Sequence, residues 1–243
     1  MPFQGKKRKW QGSEESKKIK RSRNLPTSKS QKSITDALSA SSHHKTQSKC
    51  SFNMKNCIKW FKEYAENNQV EPEGMERFCK SLGVEPDDVV MLVLAHQLNA
   101  KKMGFFTIEE WSRGMQKLQC DSSPKLERKL GFLREILNDP AQFKSVYRYA
   151  IDFSKEPGQR TLDLNTANVM LSLLLSKRWS LFPKFQVFLE QTKSCRAMNR
   201  DQWNNVLEFS RSIQPDLSNY DSDGAWPVVL DDFAEYVKCD QNS

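Results

Sequence analysis

The 243-residue sequence has no long hydrophobic run, since its longest uninterrupted apolar stretch is the segment from Val89 to Ala95. A helix that crosses a bilayer needs about 20 such residues, so we expect no membrane-spanning segment. The N-terminal residues, MPFQGKKRKW, lack the apolar segment of a secretory signal. We therefore expect a chain that is neither secreted nor bound to a membrane.

Cysteine and histidine are few and scattered. The cysteines stand at positions 50, 57, 79, 120, 195 and 239, without a Cys-x-x-Cys pair, and there are 3 histidines. In a chain that is not secreted, this spacing predicts reduced thiols rather than disulfides or a zinc site. The sequence also lacks Gly-x-Ser-x-Gly, Gly-rich phosphate-loop and His-Glu-x-x-His motifs. We expect no cofactor, no metal and no catalytic residues, which favours a binding protein over an enzyme.

Positive charge is concentrated at the N-terminus. Residues 1–50 contain 13 Lys and Arg against 3 Asp and Glu, whereas residues 51–243 contain 25 against 27. The first segment is also poor in apolar residues, so it cannot bury enough surface to offset its ordering entropy. We expect a disordered basic tail over 1–50 and a folded domain over 51–240, whose balanced charge argues against nucleic-acid binding. An adaptor that binds nucleic acid through the tail alone is an open alternative.

Two short basic clusters in the tail resemble nuclear import signals. A solvated charged tail without a receptor is the alternative interpretation. With an import signal, the protein would reside in the nucleus, with some in the cytoplasm. The clusters consist of Lys6, Lys7, Arg8 and Lys9, followed by Lys17, Lys18, Lys20, Arg21 and Arg23.

After residue 50, apolar residues recur at three-to-four spacing, which is typical of amphipathic helices. Alternating β-branched patterns and hairpin dipeptides are scarce. The sequence predicts an all-α domain of about ten short helices, with a longer central helix from Glu85 to Lys101. Helix boundaries are indicated by Gly83 as a C-cap, by starts at Ser123-Pro124 and Asp139-Pro140, and by capping boxes at Thr107-Glu110 and Asn199-Gln202.

The N-terminal half of this domain is predicted to resemble a pair of EF-hands. Residues 104–107, GFFT, are the best candidate for a short extended stretch between two helices. Helix, loop, short strand and helix in succession build an EF-hand pair, whose loops would lie at 67–76 and 101–110. Neither loop has acidic ligands at alternate positions, so both would be degenerate copies without metal.

A closer match to a calcium loop begins at Asn219. Residues 219–224, NYDSDG, fit the first positions of such a loop, including its glycine. However, Leu230 occupies the position where calcium requires a bidentate Glu, and Pro227 occupies another ligand position. The pattern favours a tight turn, and a calcium-responsive helical regulator is the alternative function.

The acidic segment around this turn is the most informative part of the sequence. Residues 216–233, DLSNYDSDGAWPVVLDDF, place the small Ala225 between the acidic turn and Asp231, and Asp201 lies at the start of the preceding helix. Carboxylates at helix starts are stabilised by the helix dipole and need no partner. The functional interpretation is an acidic surface with a small-residue centre, suited to a Lys- and Arg-rich partner.

Five segments of the domain are distinctive: GMERFC (74–79), LVLA (92–95), MGFFTIEEW (103–111), NYDSDGAWPV (219–228) and LDDF (230–233). They closely resemble the potentiating-neddylation domain of the defective-in-cullin-neddylation (DCN1-like) family. The resemblance extends from about Phe52 to Lys238. Together with the basic tail, it resembles the small nuclear members of that family.

The resemblance implies an EF-hand-like N-terminal lobe, a second helical lobe and a monomer. It also implies a non-catalytic scaffold that holds a cullin C-terminal domain beside the conjugating enzyme charged with the ubiquitin-like modifier. Such a scaffold promotes modifier transfer to the cullin and so regulates cullin-RING ubiquitin ligases, whose RING subunit is a further candidate partner.

Two sites follow from the same resemblance. The family's cullin-facing patch of Asp, Ala and Asp corresponds to Asp201, Ala225 and Asp231. Its pocket for the acetylated N-terminal Met of the conjugating enzyme corresponds to a set of apolar residues that ordinary core packing would also explain. These are Met75, Met91, Leu94, Leu98, Met103, Phe106, Phe153 and Leu173.

Three positions depart from the family pattern. His96 stands where the family usually has Trp, which would loosen the central packing or admit a polar contact. Gly104 stands where some relatives have Cys, and Pro72 stands where some have an apolar pocket residue. We expect these changes to affect the affinity for the conjugating enzyme and the choice of that enzyme more than the fold.

Overall fold

The computed structural model describes residues 51–192 and 195–241. The predicted disordered tail over 1–50, with both nuclear import clusters, lies outside these residues. Helices dominate the described part, which contains ten α-helices, one 3-10 helix and two small sheets, so the predicted all-α class is confirmed. None of the described helices has the length and apolar character needed to cross a bilayer.

The elements follow one another in two halves joined by the 3-10 turn (Ile136–Asn138). The first half consists of α1 (Met54–Phe61), β1 (Ala65–Glu66), β2 (Gln69–Val70), α2 (Pro72–Leu82), α3 (Val89–Leu98), β3 (Phe106–Thr107), α4 (Ile108–Leu118) and α5 (Ser123–Glu135). The second half consists of α6 (Pro140–Ser154), β4 (Leu162–Asp163), α7 (Leu164–Leu175), α8 (Phe182–Gln191), β5 (Ala197–Met198), α9 (Arg200–Ser212) and α10 (Val228–Gln241).

The first half has the predicted EF-hand-like arrangement. β2 pairs antiparallel with β3, with Val70 opposite Phe106, and this pairing joins the two predicted loops. The extended stretch predicted within 104–107 is therefore confirmed. Thr107 starts α4 through the predicted capping box with Glu110. The sequence does not indicate β1, which pairs with β2, because a two-residue strand is too short to show alternation.

The second half repeats this arrangement. β4 pairs antiparallel with β5, with Leu162 opposite Met198. Each strand ends at a helix cap: Asp163 caps α7, and Asn199 caps α9 in the predicted capping box with Gln202. The helical character of this half is confirmed, whereas its strand pairing is not visible in the sequence pattern.

Aromatic side chains form the centre of each half. The fully buried Trp111 ring lies 4.6 Å from Trp60 and 4.9 Å from Phe78, centroid to centroid. In the second half, Phe233 of α10 lies 4.9 Å from Phe185 of α8 in an edge-to-face contact. This contact holds α10 in place and therefore positions the acidic segment that leads into it.

The predicted extent of the central helix is wrong. It spans Val89–Leu98 rather than residues 85–101. The Asp88 side chain accepts a hydrogen bond from a backbone N–H of the first turn, which fixes the start. Asn99 adopts a left-handed conformation with φ 55°, which ends the helix.

The start of α5 also differs from the prediction by one residue. Ser122, not Ser123, is the N-cap residue, so Pro124 is the second helical residue. The Ser123 hydroxyl instead accepts a hydrogen bond from the Trp60 indole at 2.9 Å. This tertiary contact explains why that hydroxyl does not cap the helix.

Candidate functional site

Asp201, Ala225 and Asp231 define the candidate acidic surface, which involves the start of α9, the connection to α10 and the start of α10. Asp201 lies in the first turn of α9, whose start is fixed by the capping box of Asn199 and Gln202. Its side chain is exposed, and its position at a helix N-terminus is favourable for a carboxylate.

The connection between α9 and α10, residues 213–227, is held in shape by its own polar side chains. The Asn219 amide oxygen accepts a hydrogen bond from the Gln214 backbone N–H at 2.8 Å. The same amide donates to the Ser212 backbone oxygen at 2.7 Å. Asn219 thus ties the middle of the connection to the end of α9.

The calcium-like part of this connection also makes hydrogen bonds within the protein. Oδ1 of Asp221 accepts a hydrogen bond from the Asp223 backbone N–H at 3.0 Å. Leu230, at the position where a calcium loop needs its bidentate Glu, is fully buried. These contacts match the tight turn predicted for residues 219–224.

Ala225 lies at an exposed point of the connection. The next residue, Trp226, is half-buried, and its ring lies 5.3 Å from Phe209 of α9 in an edge-to-face contact. Val228, the first residue of α10, is 70% exposed. Trp226 therefore anchors a small apolar surface made by Ala225 and Val228.

Asp231 is half-buried in the first turn of α10, and Tyr220 contacts it directly. The Tyr220 hydroxyl donates a hydrogen bond to Oδ1 of Asp231. The Tyr220 ring lies 6.1 Å from Phe209 and 5.0 Å from Nζ of Lys238. Burial and the Asp231 carboxylate raise the pKa of Tyr220 above its ordinary value, so the hydroxyl remains a donor.

Ala225 and Asp231 lie six residues apart on one continuous segment, whereas Asp201 lies in the first turn of α9. Eight residues separate Asp201 from Phe209, the residue that contacts the connection, which corresponds to about 12 Å along the helix axis. Within the described ranges, neither carboxylate lies within 4.0 Å of a Lys, Arg or His nitrogen. Both are therefore available to a cationic partner.

The apolar residues predicted to line a pocket are mostly core residues. Only Met103, in the loop between α3 and β3, is exposed by more than a third of its surface. Six of the eight are buried, with at most 2% exposure for Leu94, Leu98 and Phe106 and 7% to 9% for Met91, Phe153 and Met75. Leu173 is half-buried, and Met103 is 42% exposed.

Two contacts connect this apolar set to its surroundings. The backbone N–H of Met103 donates to the Phe153 backbone oxygen at 3.2 Å, which joins the α3–β3 loop to α6. A Cβ at Gly104 would lie 3.8 Å from Cγ of Pro72, so these two positions are neighbours. Leu173 lies on α7, which packs against α6.

Two cavities of the described part lie away from the predicted pocket residues. One of about 730 Å³ lies between α1 and the start of α5, and one of about 370 Å³ lies among α6, α7, α9 and the 3-10 turn. None of the predicted pocket residues lines either cavity.

Comparison with known proteins identifies the family. Residues 125–236, which include the whole acidic surface, match the family model described as cullin binding. DCN1-like protein 4 of Danio rerio is 60% identical over 188 residues, which is 77% of this chain and 67% of that protein. Human DCN1-like protein 5 is 56% identical over 193 residues, or 79% and 81% of the two chains. DCN1-like protein 4 of Drosophila melanogaster is 55% identical over 190 residues, or 77% and 76%.

The chain belongs to the DCN1-like family. The resemblance inferred from its sequence motifs is therefore confirmed, and this DCN1-like chain carries a cullin-binding domain. That domain match includes Phe153 and Leu173 of the predicted pocket, whereas the other pocket residues precede it.

His96 of this DCN1-like chain makes a polar contact in the structure. Nε2 of His96 lies 3.0 Å from Oγ of Ser145, and its ring lies 5.2 Å from Tyr149 in an edge-to-face contact. His96 thus makes the polar contact that was one of two expectations for this position. Burial, aided by the charge of Lys117, lowers the pKa of His96, which keeps the imidazole neutral at neutral pH.

Sequence reasoning missed the role of Tyr220 in this DCN1-like chain. Tyr220 lies within the family-like segment 219–228, but nothing in its spacing indicates a hydrogen bond to Asp231. The bond depends on how the connection folds back onto α10. A tyrosine within an acidic turn nevertheless indicates a hydrogen bond to a nearby carboxylate, because its hydroxyl needs a partner when its ring is packed.

Proposed function

We propose that this chain is a non-catalytic scaffold that promotes transfer of a ubiquitin-like modifier to cullins. It would hold a cullin C-terminal domain and the acetylated N-terminus of the conjugating enzyme at the same time, and the RING subunit of the ligase is a further partner. The observation that carries the proposal lies within the cullin-binding match. There, Asp201 and Asp231 have no ion-pair partner among the described residues and flank the exposed Ala225 in sequence.

The acidic surface suits a basic segment of a cullin. Each carboxylate can accept charge-assisted hydrogen bonds from Arg or Lys, which are about twice as strong as neutral ones. Tyr220 occupies one oxygen of Asp231 and leaves the other for the partner. Ala225 and Val228 offer apolar contact with little steric hindrance, so the partner's backbone can approach closely.

The second partner in this proposal is the acetylated N-terminal Met of the conjugating enzyme. Met103 and Leu173 are the accessible members of the apolar set assigned by the family resemblance. Met75 and Met91 can adapt to a flexible ligand, because Met has three rotatable bonds and a polarizable sulfur. Acetylation removes the charge of the terminal amine, whose burial without a partner would be costly.

The chemistry of the four buried thiols fits a role without covalent catalysis by these groups. Burial raises the pKa of Cys57 and of Cys79 to about 11. Burial also raises the pKa of Cys120 and of Cys195. The thiolate is the nucleophilic form, so these four groups are poor acceptors for a thioester at neutral pH. In this proposal the thioester stays on the conjugating enzyme.

The proposed gain in rate comes from holding the two partners together. Partners bound to one rigid domain reach effective concentrations on the order of millimolar. A fixed mutual orientation also lowers the entropic part of the barrier. No residue of this chain needs to touch the reacting atoms.

For the basic clusters in residues 1–50, we propose nuclear import. A fusion of residues 1–30 to a fluorescent reporter should then accumulate in the nucleus. An even distribution between nucleus and cytoplasm would contradict this assignment.

The cullin-binding assignment is tested by measuring the affinity of a cullin C-terminal domain for the variant carrying Asp201→Ala and Asp231→Ala. Two lost charge-assisted contacts of about 1.5–3 kcal/mol each predict binding weaker by roughly a hundredfold or more. The matched control carries Asp87→Ala and Glu127→Ala, two exposed acidic residues without an ion pair among the described residues. Equal binding by the acidic-surface variant, with unchanged helicity, would overturn the assignment.

A further inference from the structure

A cavity of about 370 Å³ lies where α6, α7 and α9 meet the 3-10 turn. None of the residues assigned to the proposed function lines it. Its described walls combine an apolar floor with two arginines and include no Asp, Glu or Lys. The residues that matter for its chemistry are Leu137, Phe143, Leu175, Arg178, Leu207 and Arg211.

Both arginines lie over the same aromatic ring. Cζ of Arg178 is 4.5 Å from the centroid of Phe143, and Cζ of Arg211 is 5.6 Å from it. The Phe143 ring is buried, whereas both arginines are exposed. Stacking uses the face of a guanidinium group and leaves the N–H donors at its edge free for a planar anion.

Neither arginine forms an ion pair with a described carboxylate. Among residues 51–192 and 195–241, no carboxylate lies within 4.0 Å of either guanidinium group. The acidic residue closest in sequence to Arg211 on α9 is Glu208, which forms an ion pair with Lys144. The hydrogen bond from Lys144, with the nearby charge of Arg211, lowers the pKa of Glu208. Two guanidinium groups without a direct ion pair therefore face one cavity, where a ligand that brings negative charge gains attraction from both.

The geometry points to a binding site for the carboxylate side chain of a partner protein, presented next to an apolar residue. The two guanidinium forks match a planar carboxylate, which can accept a bidentate hydrogen bond from each. Leu175, Leu207 and Leu137 line the floor of the cavity but are at most 6% exposed, so the carboxylate contact with the two arginines carries the recognition. The volume lies near the small end of the range for ligand pockets, about 300–1,000 Å³, so one or two side chains fill it.

The charge of the remaining chain argues that the occupant is another protein. Residues 1–50 carry 13 Lys and Arg against 3 Asp and Glu, so this segment would be repelled by the arginines. The site is also separate from the acidic surface. Arg211 follows Asp201 by ten residues on α9, which is about 15 Å along the axis. Helix α9 thus carries Asp201 in its first turn, proposed to bind a basic partner, and Arg211 in its last turn, proposed to bind an acidic partner.

The test uses two small probes and the full chain. The acidic probe is N-acetyl-Glu-Leu-amide, and its neutral counterpart replaces Glu with Gln; inorganic phosphate is the third ligand. Methyl resonances of Leu175 and Leu207 are followed by NMR during titration to about 10 mM, because a ligand of this size binds in the millimolar range. The acidic probe should give saturable shifts at both leucines, and the neutral probe should give none.

Variants then connect the binding to the arginines. Arg178→Gln with Arg211→Gln should weaken binding of the acidic probe about tenfold or more, since charge-assisted hydrogen bonds are lost. Arg113→Gln with Arg160→Gln removes two exposed arginines elsewhere and should leave the binding unchanged. Cullin binding should be retained by both variants, so this inference and the proposed function fail independently.

Three results would overturn the inference. The first is the absence of saturable shifts with the acidic probe. The second is equal binding of the neutral probe or of the Arg178→Gln, Arg211→Gln variant. The third is tighter binding of phosphate than of the acidic probe, which would make the cavity a phosphate site instead.

Discussion

The Tyr220 hydroxyl donates a hydrogen bond to Oδ1 of Asp231 across the segment that leads into α10. The Tyr220 ring is itself held between Phe209 and Lys238, so the donor has little freedom. One carboxylate of the acidic surface is therefore oriented before any partner arrives. Such pre-organisation lowers the entropy lost on binding.

Tyr220→Phe isolates the contribution of this hydrogen bond, because it keeps the ring and removes only the hydroxyl. We expect cullin affinity to fall severalfold, corresponding to about 1 kcal/mol for one hydrogen bond. Calorimetric titration with a cullin C-terminal domain measures it. Tyr236→Phe is the matched control, since Tyr236 contacts Phe188 in the same half through its ring. Unchanged affinity of Tyr220→Phe would show that the orientation of Asp231 does not matter.

Two glycines in helices should respond to alanine in opposite directions. A Cβ at Gly114 of α4 would lie 2.6 Å from Cα and Cγ of Leu98, whereas a Cβ at Gly131 of α5 would meet nothing within 4 Å. Gly114→Ala should therefore destabilise the domain by about 1–3 kcal/mol through overpacking. Gly131→Ala should stabilise it by up to about 1 kcal/mol through helix propensity. Urea denaturation measures both, and equal effects would contradict the close contact between α3 and α4.

Asp121 anchors the start of α1 to α5. It is 4% exposed, accepts a hydrogen bond from the Asn53 backbone N–H at 2.8 Å and forms an ion pair with Lys125 at 2.8 Å. Asp121→Ala leaves both donors without this acceptor and should cost about 3 kcal/mol of unfolding free energy. The exposed Asp87→Ala should change it by less than about 0.5 kcal/mol. Similar effects of the two substitutions would exclude an anchoring role.

The same carboxylate predicts a pH dependence. Burial alone would raise the pKa of Asp121, but hydrogen bonds from Lys125 and Asn53 lower it below its ordinary value of 3.8. A lowered folded-state pKa gives stability that is present above pH 3.8 and is lost as the pH falls through the folded-state pKa. The difference in unfolding free energy between wild type and Asp121→Ala should therefore shrink below pH 3.8. A constant difference would contradict the ion pair.

His96 predicts a dependence in a different pH range. Burial, with Lys117 nearby, lowers its pKa from 6.5, so the unfolded chain binds this proton more readily than the folded one. Stability should therefore fall as the pH drops through 6.5, and His96→Gln should remove that part of the slope. Unfolding free energies of both proteins at several values from about pH 7.5 to 5.5 measure the difference. Parallel curves would show that His96 does not titrate differently on folding.

The parts of the fold that were predictable depend on local chemistry. The capping boxes at Thr107 and Asn199 are four-residue patterns, and each starts a helix as predicted. The limits of α3 were not predictable from its apolar run, because Asp88 and Asn99 decide them through single conformations outside the apolar pattern. Local sequence patterns thus predict where helices form. The limits of a helix without a capping box, such as α3, depend on individual side chains.

The contacts within the candidate sites, in contrast, were not predictable from local sequence patterns. The residues of the acidic surface follow from a family resemblance, but the bond between Tyr220 and Asp231 requires the folded connection. Likewise, Arg178 and Arg211 meet at Phe143 only because α6, α7 and α9 pack together. Such contacts join residues far apart in sequence, so spacing and composition carry no sign of them.

The most direct test of the scaffold proposal is the rate of modifier transfer to a cullin C-terminal domain by the charged, N-terminally acetylated conjugating enzyme. Adding the wild-type chain should increase that rate, whereas the Asp201→Ala, Asp231→Ala variant should not, and the modifier should never be found as a thioester on this chain. A rate that does not change when the chain is added, or a thioester on one of its own cysteines, would contradict the proposal.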